Sequence, residues 1–306
     1  MPHAWPVISY DEWRGTCDTL HAHTQLLGKL AVALAPPEPQ LQHAALRLTA
    51  RGWETAPLPA PNGSGALVAV LDLVHHEAVV ETSAGGQARI PLGPDRAVGA
   101  VTRDVLAAVH ELAGAVELNL RPQEVSWTVA LDRDEEHARY DAGAVTTYFG
   151  AATRAAQVLA AFRAPFRGRS TPVNAWWGSF DLSVNLFSGR PASPPSDDFI
   201  MRNAMDAQEV AVGWWPGDQR YGEAAFYAYA HPAPPEFAGA TVPPAAAGWN
   251  DTLGEYILDW TDVCAADDPA ATALEFAHAV FHHACAVCGW EPGLSGSAEG
   301  SPPPVH

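Results

Sequence analysis

The stretch Asn62-Gly63-Ser64-Gly65-Ala66-Leu67-Val68-Ala69-Val70-Leu71-Asp72, continued through Glu77-Ala78-Val79-Val80-Glu81 and Gly85-Gly86 to Arg89-Ile90-Pro91-Leu92, decides the class of fold. Runs rich in Val, Leu and Thr sit between clusters of turn chemistry, which is the pattern of short strands joined by tight turns. Ala45 to Leu58, Ala66 to Glu81 and Arg89 to Leu92 therefore read as extended segments of an antiparallel meander. Upstream, Ser9-Tyr10-Asp11-Glu12 reads as a capping box, in which Ser9 accepts the N3 amide and Glu12 reaches back to the cap. A helix follows from Trp13 to Leu34 and stops at Pro36-Pro37, where two amide donors are missing. Downstream, Pro94-Asp95 opens a second helix, Arg96 to Ala113, with Gly114 placed as its C′ residue.

The second half repeats that order. Asp141 to Phe162 reads as a helix that ends before Pro165; Pro172 to Ser188, Glu209 to Trp215 and Ala224 to His231 read as strands; Pro269 to Cys288 closes as a helix. The expectation is an α+β fold of two similar helix-three-strand-helix lobes with antiparallel sheets. Element order alone suggests an internal pseudo-duplication. The expected division is an N-terminal lobe over 1–115, a connection over 116–140, a C-terminal lobe over 141–290 and a disordered tail over 291–306. Ser188 to Asp198 and Pro232 to Gly248 read as loops, and Asp132-Arg133-Asp134-Glu135-Glu136 as a solvated turn.

Composition narrows the function classes. The 306 residues carry 35 acids against 17 bases, a formal charge of −18, which disfavours phosphate backbones and anionic membranes. The only lysine is Lys29, so Schiff-base chemistry has one position available to it. Four cysteines without regular spacing do not make a disulfide scaffold, and a reducing, cytoplasmic setting is expected. No apolar run approaches a membrane span. Walker, GxGxxG and GxSxG motifs are missing.

Several constellations remain. His21, Gln25 and Lys29 recur every four residues along the first helix and share a stripe, whose plainest reading is a solvated face; Gly28 beside them permits close approach of a backbone or ligand. In Asn174-Ala175-Trp176-Trp177-Gly178-Ser179-Phe180-Asp181-Leu182-Ser183, unbroken strand alternation puts Asn174, Trp176, Gly178 and Phe180 on one face and Trp177, Ser179, Asp181 and Ser183 on the other. Trp177 and Asp181 would then offer an indole wall and a carboxylate to one pocket, unless Asp181 is simply paired with an arginine. Glu209 alternates with Ala211, Gly213 and Trp215, leaving space beside its carboxylate. If Asp181 and Glu209 share one cavity, burial and mutual repulsion raise one pKa and set a general acid beside a general base. His278, His282 and the pair Cys285 and Cys288 lack a second ligand pair and read as structural.

Thr19-Leu20-His21 with Thr24-Gln25 and Gly28-Lys29, Trp177-Gly178-Ser179-Phe180-Asp181-Leu182 with Phe187-Ser188-Gly189-Arg190, and Glu209-Val210 with Trp215-Pro216-Gly217 before Ala225-Phe226-Tyr227-Ala228-Tyr229 resemble an uncharacterised bacterial family, the domain of unknown function numbered five-nine-nine-six. The resemblance spans residues 10 to 290 and implies no established activity. Asp72, His76, His137 and Tyr140-Asp141 also match family-like positions. Asn174 and Gln208 stand where the family pattern carries histidine. Either amide can replace the hydrogen bonds of a neutral imidazole but not its metal or proton chemistry.

The leading expectation is a small-molecule-processing enzyme with an aromatic-lined cleft between the two lobes. Glu209 and Asp181 act as base and acid in either order, and His21 is the proton shuttle. Gln25 and Lys29 orient an anionic or carbonyl group, and Asn174, Trp177, Gln208 and Trp215 complete the substrate-binding set, with Trp214 as the alternative to Trp215. One alternative is a metal-dependent oxidoreductase or hydrolase drawing on His21, His76, His137, Asp181 and Glu209. Another is a non-catalytic binding protein. A small-molecule ligand and a homodimer are the expected partners, and no cofactor is named by the residues.

Overall fold

The computed structural model describes residues 4–295. Helix α1, Tyr10–Leu34, opens the fold. Strands β1 (Arg47–Leu48), β2 (Gly52–Glu54), β3 (Leu58–Pro59), β4 (Ala66–Asp72), β5 (Glu77–Thr82) and β6 (Gln87–Pro91) follow, and helix α2, Val98–Ala113, closes the first half. The second half starts with α3 (Ala142–Arg163), then β7 (Asn174–Trp176), β8 (Asp181–Pro191), α4 (Phe199–Ala204), β9 (Ala207–Trp215), β10 (Ala225–His231), β11 (Gly248–Asn250) and β12 (Glu255–Asp259). It ends in α5 (Trp260–Ala265), α6 (Pro269–Val287) and the short α7 (Pro292–Ser295).

The architecture is α+β with two antiparallel sheets. The first runs β1-β2-β4-β5-β6 with β3 paired to β4, and the second runs β11-β12-β10-β9-β8-β7. Each holds six strands rather than three. In the first half, the expected segment Ala45 to Leu58 divides into β1, β2 and β3, and Ala66 to Glu81 turns after Asp72 to give β4 and β5, while β6 answers to Arg89 to Leu92. In the second, β11 and β12 lie beyond Pro232–Gly248, a stretch whose composition hid the strands after it. The first sheet follows the meander, whereas β12 inserts between β10 and β11, so strand order gives the duplication no support.

The two sheets meet edge to edge. Leu46 and Ala175 exchange both main-chain hydrogen bonds, at 3.0 and 2.9 Å, in an antiparallel bridge beside β1 and β7. Apolar residues of α1, α2, α3 and α6 and of both sheets form one contiguous buried cluster, in which Trp53, Trp214, Trp260, Tyr148 and Phe162 are among the largest enclosed side chains.

Helix boundaries follow their chemistry. Asp141 caps α3 by accepting the Ala144 amide at 2.8 Å, and Gly114 with φ +99° ends α2. Ser9 does sit at the N-cap of α1, but its side chain makes no capping bond; its main-chain oxygen accepts the Glu12 amide at 3.1 Å. Other expectations also change. Asp134, within the run expected to be solvated, is buried and holds His137 Nδ1 at 2.6 Å. Residues 292–295 of the expected tail form α7, and 296–306 lie outside the described residues. All four cysteines are free. No helix among the described residues is long and apolar enough to cross a membrane.

Helix α1 is the centre of the structure. From Thr19 to Ala31 every residue but His21 is buried, so the expected solvated stripe does not exist. Gly28 is what lets the second sheet approach, because a Cβ there would fall 2.0 Å from the Trp177 indole. Gly28→Ala is expected to cost at least 2 kcal/mol, about the middle of the range for overpacking a dense interior. Gly150→Ala in α3, whose new methyl would meet only Pro6 at 3.4 Å, is expected to be neutral or to gain about 0.5 kcal/mol from lost backbone freedom. Urea denaturation of the two variants beside the parent checks both signs.

Candidate functional site

Between β7 and β8 the chain reverses. Residues 177–180 form a turn, and the ladder pairs Asn174 with Ser183 and Trp176 with Asp181. Alternation therefore does not run unbroken through this segment, as expected from sequence, but restarts at Asp181. Asn174, Trp176, Asp181 and Ser183 share a face, and Trp177 leaves it. The Trp177 ring packs against Gly28 and its Nε1 donates to the Ala44 carbonyl at 3.1 Å, so the indole is anchored in the core while part of the residue still lines the cavity beside it. Trp176 takes the wall position and donates to Ser183 Oγ at 2.9 Å.

On β9, alternation holds. Glu209, Ala211, Gly213 and Trp215 line one face, and Trp214 lies in the core on the other. The register sets Gly213 opposite Tyr227 and Ala211 opposite Tyr229 on β10. Small residues at those positions let both phenols lie across β9; a Cβ on Gly213 would come within 2.3 Å of the Tyr227 ring. Tyr227 and Tyr229 stack at 6.2 Å with planes 4° apart. The Tyr227 hydroxyl donates to Asp181 Oδ2, and Ser179 donates to Asp181 Oδ1. The Tyr229 hydroxyl stands 3.5 Å from Glu209 Oε1.

This sheet face floors a cavity of about 520 Å³. Its other walls come from α1 through Asp18 and His21, from Gln40 to Ala44, from Glu124 to Trp127, from α4, and from Asp218, Arg220 and Glu255. The N-terminal half contributes α1 and the 40–44 segment to the lining but no strand of the first sheet. Asp181 and Glu209 both line the cavity, yet they do not touch. Leu182 pairs with Trp214 and Phe187 with Glu209, so their Cα positions lie about 20 Å apart along the strands, and the stacked Tyr227 and Tyr229 stand between the two carboxyls.

Their electrostatics follow from this separation. Burial pushes Glu209 up to about 7, with Asn185 and Tyr229 opposing, and burial raises Asp181, with Ser179 and Tyr227 opposing. Neither is raised by the other. Instead Asp181 acts on Glu124 and Glu255, each pushed up to about 7 by enclosure first and by the Asp181 charge second. Glu124 is exposed along the cavity, sitting on Gly178 where a Cβ would lie 2.0 Å from its Oε2. Glu209 is the more enclosed, 2% exposed, and its Oε2 has no hydrogen-bond partner.

His21 reaches the cavity from α1. Its Nε2 lies 2.9 Å from the Gly178 carbonyl and 3.1 Å from that of Trp177, so it carries a proton donated to the main chain. Burial lowers its pKa to about 4, and the ring stacks on Phe180 at 5.1 Å. The imidazole is neutral near pH 7, with Nδ1 as its lone-pair nitrogen.

The remaining sequence-predicted residues stand outside the cavity lining. Gln25 clamps a peptide unit, donating to the Gln123 carbonyl at 2.8 Å and accepting the Gln123 amide at 3.1 Å. Lys29 donates to Gln123 Oε1 at 3.3 Å and lies over the Trp177 ring, with burial lowering it to about 8. Together they hold the segment that carries Glu124. Asn174 is fully buried between Arg47 and Gln42, and Gln208 accepts from Ser188 at 3.0 Å. His76 bonds Tyr140 and His137 bonds Asp134, neither in the cavity. No three His, Cys, Asp or Glu side chains among the described residues converge closely enough to hold a metal ion.

Over residues 5–295 the sequence matches the family described as Family of unknown function (DUF5996). The chain belongs to that family. No curated protein and no solved structure matches it. Within this DUF5996 member, sequence reasoning missed Glu124, Glu255, Tyr227 and Tyr229 as lining groups. The alternation Ala225, Tyr227, Tyr229, His231 was a signal for the tyrosines, whereas Glu124 and Glu255 are single acids in segments without a pattern.

The enclosed carboxyl has a consequence for stability. Glu209 has an ordinary value of 4.5 when unfolded and about 7 when folded. The native state therefore binds the extra proton between those values, and the stability it confers is complete below 4.5 and lost as pH rises through about 7. The melting temperature of Glu209→Gln relative to the parent is expected to rise from about pH 5 to about pH 7 and to level off above it. A pH-independent difference would show that Glu209 titrates normally.

Proposed function

We propose that this DUF5996 member is an enzyme that processes a small molecule by proton transfer at carboxyl groups in the cavity floor. The observation that carries the reading is Glu209 Oε2, a buried carboxyl oxygen with no partner, set in the wall of a cavity of about 520 Å³. Leaving such an atom unpaired costs roughly 1–3 kcal/mol, a cost recovered when a substrate supplies the missing donor. A carboxyl with a pKa near 7 holds or releases a proton equally well at neutral pH, which suits a general acid or base.

Asp181 is the second proton-handling group. Its oxygens already accept from Tyr227 and Ser179, so a proton arriving at the Tyr227 hydroxyl has a route to Asp181. His21, neutral and with Nε2 committed to the main chain, offers Nδ1 as a further acceptor. Gln25 and Lys29 act at one remove by fixing the segment that bears Glu124.

Incubating the protein with a mixed small-molecule extract and following every mass over time tests the reading. The parent is expected to consume at least one compound. Glu209→Gln and Asp181→Asn, with far-ultraviolet circular dichroism unchanged, are expected to slow that reaction about a hundredfold or more, the usual worth of a positioned acid or base. Undiminished turnover by both variants overturns the assignment. Retention of a compound without chemical change makes the protein a binder instead.

A further inference from the structure

We infer that the cavity takes an organic cation, a small molecule bearing one or more ammonium groups. The inference rests on the proposal above that this cavity is the working site, and adds the class of molecule that enters it.

Charge in the lining is one-sided. Asp18, Glu124, Asp181, Glu209, Asp218 and Glu255 supply six carboxyl groups. Arg220 is the one Lys or Arg among the lining residues, and its guanidinium is committed to Asp218 through contacts of 2.7 and 2.9 Å. Lys29, assigned from sequence to an anionic or carbonyl group, is turned away toward Gln123 and Trp177. An anionic molecule finds no uncommitted Lys or Arg in this lining and meets carboxyl groups instead.

Acidic residues alone define no ligand. The second observation is Glu209, a lining residue nine-tenths and more buried, whose Oε2 has no hydrogen-bond donor. A carboxylate accepts hydrogen bonds and an ammonium group only donates them, three at once, in charge-assisted contacts stronger than neutral ones. Trp176, Trp215, Tyr227 and Tyr229 line the same space, and aromatic surfaces tolerate an organic cation where they would not favour an anion. A compact metal ion fits less well, because the acids are spread along the floor and no three of them converge.

Binding of a cation also moves protons. Glu209 is faced by Tyr229, Asn185, Asp206 and Arg169; Glu255 by Asp181, Asp218 and Arg220; and Glu124 by Asp181, Asp198 and Arg220. These carboxyls hold protons near neutrality, so an arriving positive charge displaces them.

Titration calorimetry at about pH 7, in two buffers of different ionisation enthalpy, tests the inference with defined probes. These are 1,4-diaminobutane and 2-phenylethylamine as cations, 1,4-butanediol as the neutral counterpart and hexanedioate as the anion. At least one amine is expected to bind with net proton release that shrinks at about pH 9, while the diol and the dianion do not bind. Glu209→Gln or Asp181→Asn is expected to weaken the amine about tenfold, the loss of one charge-assisted contact. Binding of the diol or dianion as tightly as the amines, failure of both amines to bind, or amine affinity untouched by either substitution overturns it. Amine binding by a protein that consumes nothing from the mixed extract leaves this inference standing and removes the catalytic reading; turnover of a neutral or anionic compound does the reverse.

Discussion

A bare glycine surface on α1 receives the Trp177 indole, and the geometry of the cavity depends on that contact. With no side chain at Gly28, the ring lies where a methyl group would stand, and its N–H finds the Ala44 carbonyl. The turn between β7 and β8 is thereby seated on the helix. Its carbonyls at 177 and 178 then capture His21, its Gly178 leaves room for Glu124, and the strand that leaves it begins with Asp181. Three groups of chemical interest are thus placed by one packing event in a dense interior, where displacements of a few tenths of an ångström propagate.

Two populations of carboxyl coexist in the molecule. Burial raises Asp72, but the amides of Val74 and His75 and the His75 imidazole outweigh it and hold the group below its ordinary value; Asp134 is held down by His137 in the same way. Those acids stabilise turns. Asp181, Glu209, Glu124 and Glu255 in the cavity have no cation among the described residues paired to them, and their pKa values move upward. The same residue types therefore do opposite work, and the difference lies in whether the fold supplies a cation or a bundle of amide donors.

Much of the frame was legible because local chemistry marks it. Pro36-Pro37, Asp141, Gly114 and the glycine turns delimit elements whatever packs against them. What failed needed tertiary information. The run from Asn174 to Ser183 carries only Gly178-Ser179 as a turn signal, set among strand-forming aromatics, and alternation was carried through a reversal that puts φ +58° on Phe180. The stripe of His21, Gln25 and Lys29 looks solvent-facing in isolation, but α1 is surrounded by both halves of the chain, which period alone does not reveal. At the site, Glu209 and Trp215 were readable from the small residues they alternate with on β9, whereas Asp181 was singled out by an alternation with Trp177 that the turn interrupts. The separation of the two acids was not readable, because it depends on strand register across β8 and β9.

The cavity draws its walls from Tyr10 at the start of the first helix to Glu255 in the last strand. During synthesis, no emerging fragment short of β12 contains all of its acids, and the Leu46–Ala175 bridge must close a long loop before the sheets can align. Contacts of such sequence separation make for slow folding. Until the chain is nearly complete, the acids of the floor remain hydrated and ordinary in their acidity, so their altered acid strength is among the last properties the nascent protein acquires.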